Sequence, residues 1–255
     1  MSDTFDFGRF SKLFKYECLN YLPRYVKGML VFAGFIVASW AFSIKEGYTV
    51  NDRTDLIAVL LNFAVLLSPY FVYSDINNSK KGYLYAIIPA STLEKLLSMS
   101  LMCMVVVPVC AFVALTATDV LLWLFSMMGI GGFKEIAFLD LAVLLDYRVI
   151  ISAIAFVATP MMFNAVFRSH KILKTLLFFL ALFFALVFGV SFIVSALSVN
   201  LATERAFEIW LGRTFGNCSA QDVISFLEIM LSLFNAAIAC VTLAVTYRRI
   251  KKMDY

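Results

Sequence analysis

Six runs of bilayer length, each with at most one charge, constrain this chain more than any other feature: Val26–Ile44, Leu56–Tyr73, Leu96–Thr118, Tyr147–Phe167, Thr175–Val199 and Val223–Thr246. Each approaches the ~20 residues that cross ~30 Å of hydrocarbon. Their apolar residues are continuous rather than alternating, and a segment in lipid must satisfy its own backbone groups. Helices are therefore expected, not barrel strands. Composition agrees: 62% of residues are hydrophobic and 15% charged, against about 45–50% and about 25% in soluble domains. No stretch is polar enough for a water-facing domain. Residues 1–255 read as a single all-α, polytopic membrane domain, with an interfacial helix within 1–25, a six-span bundle over 26–246 and a basic tail at 247–255.

Orientation follows from the basic residues. One alternating set of segments holds Arg9, Lys12, Lys15, Arg24, Lys27, Lys80, Lys81, Lys95, Arg168, Lys171, Lys174, Arg248, Arg249, Lys251 and Lys252, and the other only Lys45, Arg53, Lys134, Arg148, Arg205 and Arg213. The richer set is expected in the cytoplasm, with both termini, in a cell inner (plasma) membrane. Most acids fall on the external side, among them Asp52, Asp119 and Asp146. The net charge of +4 sits beside the spans, so topology accounts for it and nucleic acid is not expected as a partner. Residues 1–27 are charged and no small-residue cleavage site follows the first run, so no cleaved signal peptide is expected.

Between the spans, Phe7, Phe10, Phe14, Cys18 and Tyr21 recur at three- and four-residue steps while Arg9, Lys12, Lys15 and Glu17 point elsewhere. That pattern predicts a helix in the cytoplasmic interface, ended by Pro23. Outside, Val120–Ile130 is too short to span and, with Gly129, Gly131, Gly132 and Phe133–Leu145, reads as interfacial or re-entrant. Asn200–Asp222 is expected on the outer surface, anchored by Trp210. The cytoplasmic segment Ser74–Lys95 has the densest signals. Ser91 and Glu94 fit a capping box that starts the third helix just after Pro89. Lys80–Ile88 suits either a short amphipathic element or a membrane-surface loop with aromatic anchors.

Chemistry is sparse. No GxxxxGK[ST] loop is present, so any ATP hydrolysis belongs to another chain. His170 is the only histidine and lies in a basic cytoplasmic run, where a solvated role is expected. That leaves no HExxH zinc site and no serine–histidine triad. Five cysteines without a CxxC pair suggest neither disulfide nor metal, and Cys103 and Cys110 read as packing residues on one helix face. No catalytic residue, cofactor or metal ligand is expected. Glu228, an ionisable residue inside a span, is a functional candidate, but it is close enough to the outer end to reach the interface. Asn62, Asn164, Asn235 and Ser191 read as interhelical hydrogen-bonding groups. Small residues four apart, Gly34 with Ala38 and Ala185 with Gly189, permit close helix packing within or between subunits.

The order of these features resembles the membrane subunits of ABC-2-type exporters, particularly the short permeases of Bacteroidota-like bacteria. The resemblance rests on the helix at Phe7–Tyr21, the six spans, and the loop Tyr83-Leu84-Tyr85-Ala86-Ile87-Ile88-Pro89-Ala90-Ser91 followed by Glu94-Lys95, similar to an "LPAS…EK" pattern. It implies a homodimer or heterodimer of permeases, surrounded by membrane lipid and joined to cytoplasmic ABC ATPase subunits. It also implies coupling through Lys81, Tyr83, Leu84, Tyr85 and Ile87, and dimer packing at Gly34, Ala38, Ala185 and Gly189. One difference stands out: the family's re-entrant outer helices lie between its last two spans, whereas the more apolar insert here lies between the third and fourth. The expected function is a permease subunit of an ATP-driven exporter, not itself an enzyme. The alternative is a non-transporting membrane interaction or regulatory protein.

Overall fold

The computed structural model describes residues 5–46, 50–74, 76, 85, 87–129, 135–137, 146–198 and 220–252. They form α1 (Phe7–Glu46), α2 (Val50–Val72), α3 (Thr92–Leu101), a π-helical turn (Met102–Val106), α4 (Val107–Met127), α5 (Tyr147–Val166), α6 (Lys171–Ser198) and α7 (Ala220–Lys251), with no strand among the described residues. Among the described residues, six helical stretches are long and apolar enough to cross a membrane, α3, the π turn and α4 counting as one. The chain is a polytopic all-α membrane protein.

Two boundaries differ from expectation. Pro23 does not end the first helix; α1 runs through it without a break. Proline removes one backbone bond, here to the carbonyl of Leu19. Pro23 and Leu19 both face outward, while Leu13, Glu17, Tyr25, Met29 and Ile36 form one buried stripe that continues on either side. Packing on that stripe holds the helix together across the lost bond. The second difference concerns Val120–Met127, which is the end of α4 rather than a separate outer piece. Gly129, at φ +87°, then takes the left-handed conformation that closes the helix, its N–H donating to the Ser126 carbonyl. Within the rest of Val120–Leu145, residues 130–134 and 138–145 lie outside the described residues, as does most of Asn200–Asp222, with Trp210 and Cys218.

The capping box forms as expected. Ser91 Oγ accepts from the Glu94 N–H (3.3 Å) and Glu94 Oε2 from the Ser91 N–H (2.9 Å). Farther along the third span, Pro108 has no N–H and the π turn precedes it, with Val107 donating to the Met102 carbonyl five residues back. The widened turn places Met102 and Cys103 in the core with Tyr25, Met29, Ala64, Tyr73 and Met161.

α1 and the third span run in the same direction in near register. Arg9 meets Glu94, Glu17 meets Ser98, Cys18 meets Met102 and Trp40 meets Ser126. α2 runs opposite, from Arg53 beside Asp119 to Tyr73, which shares Glu17 with Ser98. Between Ser98 and Asp119 the third span rises about 30 Å, the thickness of a bilayer's hydrocarbon core. Two buried polar clusters therefore sit one hydrocarbon thickness apart. The Glu17 cluster marks the basic end of the bundle, the Arg53–Asp119 pair the opposite end.

Candidate functional site at the basic end

Glu17 was expected to point away from the apolar face of α1, yet it is fully buried on the inward side. Hydroxyls from two other helices reach the buried carboxyl group: Oε2 accepts from Tyr73 (2.6 Å) and Ser98 (2.5 Å), joining α1 to the end of α2 and the start of the third span. Tyr73 in turn packs edge-on against Tyr21 (5.4 Å between ring centres) and Tyr85 (6.3 Å).

Two turns nearer the N-terminus lies a second node. Asp6 precedes α1 and caps it, its Oδ1 accepting from the Gly8 and Arg9 N–H groups (2.7 and 3.2 Å), which hold this exposed carboxyl below the usual carboxylate range. The Asp6 N–H donates to Glu94 Oε1 (2.8 Å), and the Arg9 guanidinium pairs with the same oxygen (3.0 Å). Glu94 thus closes its own capping box and ties down the start of α1.

Asn164 does the same for the end of α2. Its Nδ2 donates to the carbonyls of Pro69 and Tyr73 (2.8 and 2.9 Å), and Lys171 Nζ donates to its Oδ1 (2.8 Å), so a cation approaches the negative end of that helix. This interhelical role matches expectation, as does Asn235, which donates to Ser152. Asn62 bonds within its own helix, to the Ala58 carbonyl, and to no other helix among the described residues. His170 is exposed between α5 and α6.

Of the five coupling residues, Lys81, Tyr83 and Leu84 lie outside the described residues. The other two part company. Tyr85 is buried between Tyr73 and Lys95, whose Nζ stands 5.8 Å from the ring centre, while Ile87 is 67% exposed. The segment is pinned by one residue and presents the other. Beside it, Arg9, Lys12, Leu13, Tyr16, Ile88, Pro89 and Ala90 enclose a groove of about 430 Å³.

The outward face of α1 is unusual for a membrane helix. Lys12, Tyr16, Asn20, Pro23, Arg24 and Lys27 are all exposed along it. Lys27 is ten residues past Glu17, about 15 Å farther along the helix toward the opposite end. Gly34 and Ala38 follow on the same helix, exposed, and Ala185 and Gly189 are exposed on α6; nothing outside the glycines' own helices approaches within 4 Å of the Cβ position of Gly34 or Gly189.

At the opposite end, Arg53 and Asp119 were both expected in external loops but are buried in helices. The guanidinium grips both carboxylate oxygens (2.7–3.2 Å) and donates to the Glu135 carbonyl (2.8 Å), and the Ala137 N–H donates to Asp119 (3.0 Å). Glu228 pairs with Arg148, both side chains about 40% exposed (44% and 38%). Among the described residues no group of histidine, cysteine and acidic side chains is placed to hold a metal ion. Compared with known proteins, the chain matches no family model, no curated protein and no solved structure.

Proposed function

We propose that this chain is the transmembrane permease subunit of an ATP-driven ABC-type exporter, working as a dimer with ATP hydrolysed on a separate cytoplasmic subunit at the basic end. The observation that carries the reading is the exposed polar strip on α1. A lysine and an arginine on an outward face at hydrocarbon depth are costly against lipid, and such residues characteristically line water-filled paths or face other protein. A water-lined strip alongside a second subunit is what a transport route requires and a merely structural bundle does not. The exposed small residues Gly34, Ala38, Ala185 and Gly189 support a second permease close by. Ile87, presented on a segment that Tyr85 anchors, supports a docking contact for the ATPase.

The strip is tested by labelling a Lys27→Cys variant in sealed vesicles with a membrane-impermeant thiol reagent, the four described native cysteines and Cys218 first replaced by alanine or serine. Reaction from the cytoplasmic side is expected. A thiol there that reacts only with lipid-soluble reagents would place α1 against lipid and sink the transport reading in favour of the interaction protein. The coupling contact is tested by co-purification: the native chain should bring down a cytoplasmic ATPase, and Tyr83→Ala with Leu84→Ala should release it. An ATPase that never co-purifies, or that the double variant retains at full activity, overturns the assignment.

A further inference from the structure

We propose that the groove between α1 and Ile88–Ala90 is a seat for one anionic phospholipid. Three observations converge. Its depth is right: Leu13 and Lys12 lie four and five residues, about 6–8 Å, beyond Glu17, whose cluster is taken as the border of the hydrocarbon. The polar headgroup layer occupies about 5–8 Å outside that border. Its lining is right, since Leu13, Tyr16, Ile88, Pro89 and Ala90 offer apolar and aromatic surface to the glycerol and first acyl carbons. Its charge is right as well. Arg9 is partly neutralised by Glu94, and Asp6 adds a second negative charge near Arg9 and Lys12, but no described carboxylate is in ion-pair contact with Lys12, which is exposed at the lip with Lys15 one turn on, so the basic charges outnumber the acidic ones. Basic pockets of this kind between membrane helices suit phosphate headgroups. Ile88 and Ala90 adjoin the anchored Tyr85 segment, so an occupied seat steadies the segment that presents Ile87.

The seat is tested by native mass spectrometry of the purified full-length chain released from mixed phosphatidylcholine–phosphatidylglycerol nanodiscs. Wild type should retain phosphatidylglycerol well above its bulk proportion. Lys12→Glu should lower that excess at least about fivefold, the factor to which losing ~1 kcal/mol for one basic residue at an anionic surface corresponds, and Lys12→Arg should keep it. Lys12 is exposed, so folding is not at stake; equal melting temperatures of the variants check this. Retention of the two lipids in their bulk ratio overturns the proposal, as does an undiminished excess in Lys12→Glu. Removal of the excess by inorganic phosphate alone would make the groove an anion site rather than a lipid seat. Protection of a Lys12→Cys thiol only when a soluble protein partner binds would identify that partner as the occupant and equally overturn it.

Discussion

Glu17 and Glu228 are two carboxylates on membrane helices whose surroundings give them opposite weight. Glu17 is fully buried and accepts two hydroxyls through one oxygen, while Glu228 is 44% exposed beside a half-exposed Arg148. Truncating Glu17 to alanine strands the Tyr73 and Ser98 hydroxyls and opens a void, which together should cost about 2–5 kcal/mol. Glu17→Gln keeps an acceptor for both donors and should cost less. Glu228→Gln removes a partly exposed ion pair that solvent screens and should leave assembly intact. Melting temperatures of the three purified variants check the order; a Glu228→Gln protein as unstable as Glu17→Ala would show that the Arg148 pair is a buried structural link. The sequence points the wrong way here. Glu228 attracts notice because it stands alone in an apolar run, whereas Glu17 hides among the charges of an amphipathic stretch. Its partners lie 56 and 81 residues away, so no local pattern reveals them.

Helices are legible where their signals are local. The Ser91–Glu94 box spans four residues, depends on nothing else, and forms as the sequence predicts; Ser91→Ala should cost about 1 kcal/mol in thermal unfolding. Pro23 is the contrary case. Its local effect is to break a helix, and α1 ignores it because the buried stripe from Leu13 to Ile36 packs against neighbours that the sequence does not announce. Restoring the N–H with Pro23→Ala should therefore raise the melting temperature, since an interior proline costs up to ~3 kcal/mol. A lower melting temperature would mean that α1 needs the proline's local geometry. The end of α4 shows the same override: Asp119 reads as an external charge until Arg53, on a different helix, allows it to be buried within the span.

At the scale of the whole molecule, the two buried polar clusters divide the surface into two ends, and the positive-inside rule assigns the basic one to the cytoplasm. Lys12 and Lys251 are exposed at that end, and Asp55, exposed two residues past Arg53, at the other. An even number of crossings places residues near both termini on one side and the α1–α2 connection on the other. Single cysteines at Lys12 and Lys251, in a chain with its native cysteines replaced, should accordingly react with an impermeant reagent only from the cytoplasm, and one at Asp55 only from outside. The spacing argues for the same two ends independently of the count of basic residues: about 30 Å separates the clusters, and shifting the membrane by half its thickness toward the Arg53 end would centre it on the buried Arg53–Asp119 pair. Reaction of the Lys12 and Lys251 variants from opposite sides would require an odd number of spans and break the six-helix arrangement. Reaction of all three from the reverse sides would leave the helices in place but invert the molecule, and with it the cytoplasmic position on which both the ATPase contact and the inner-leaflet lipid seat depend.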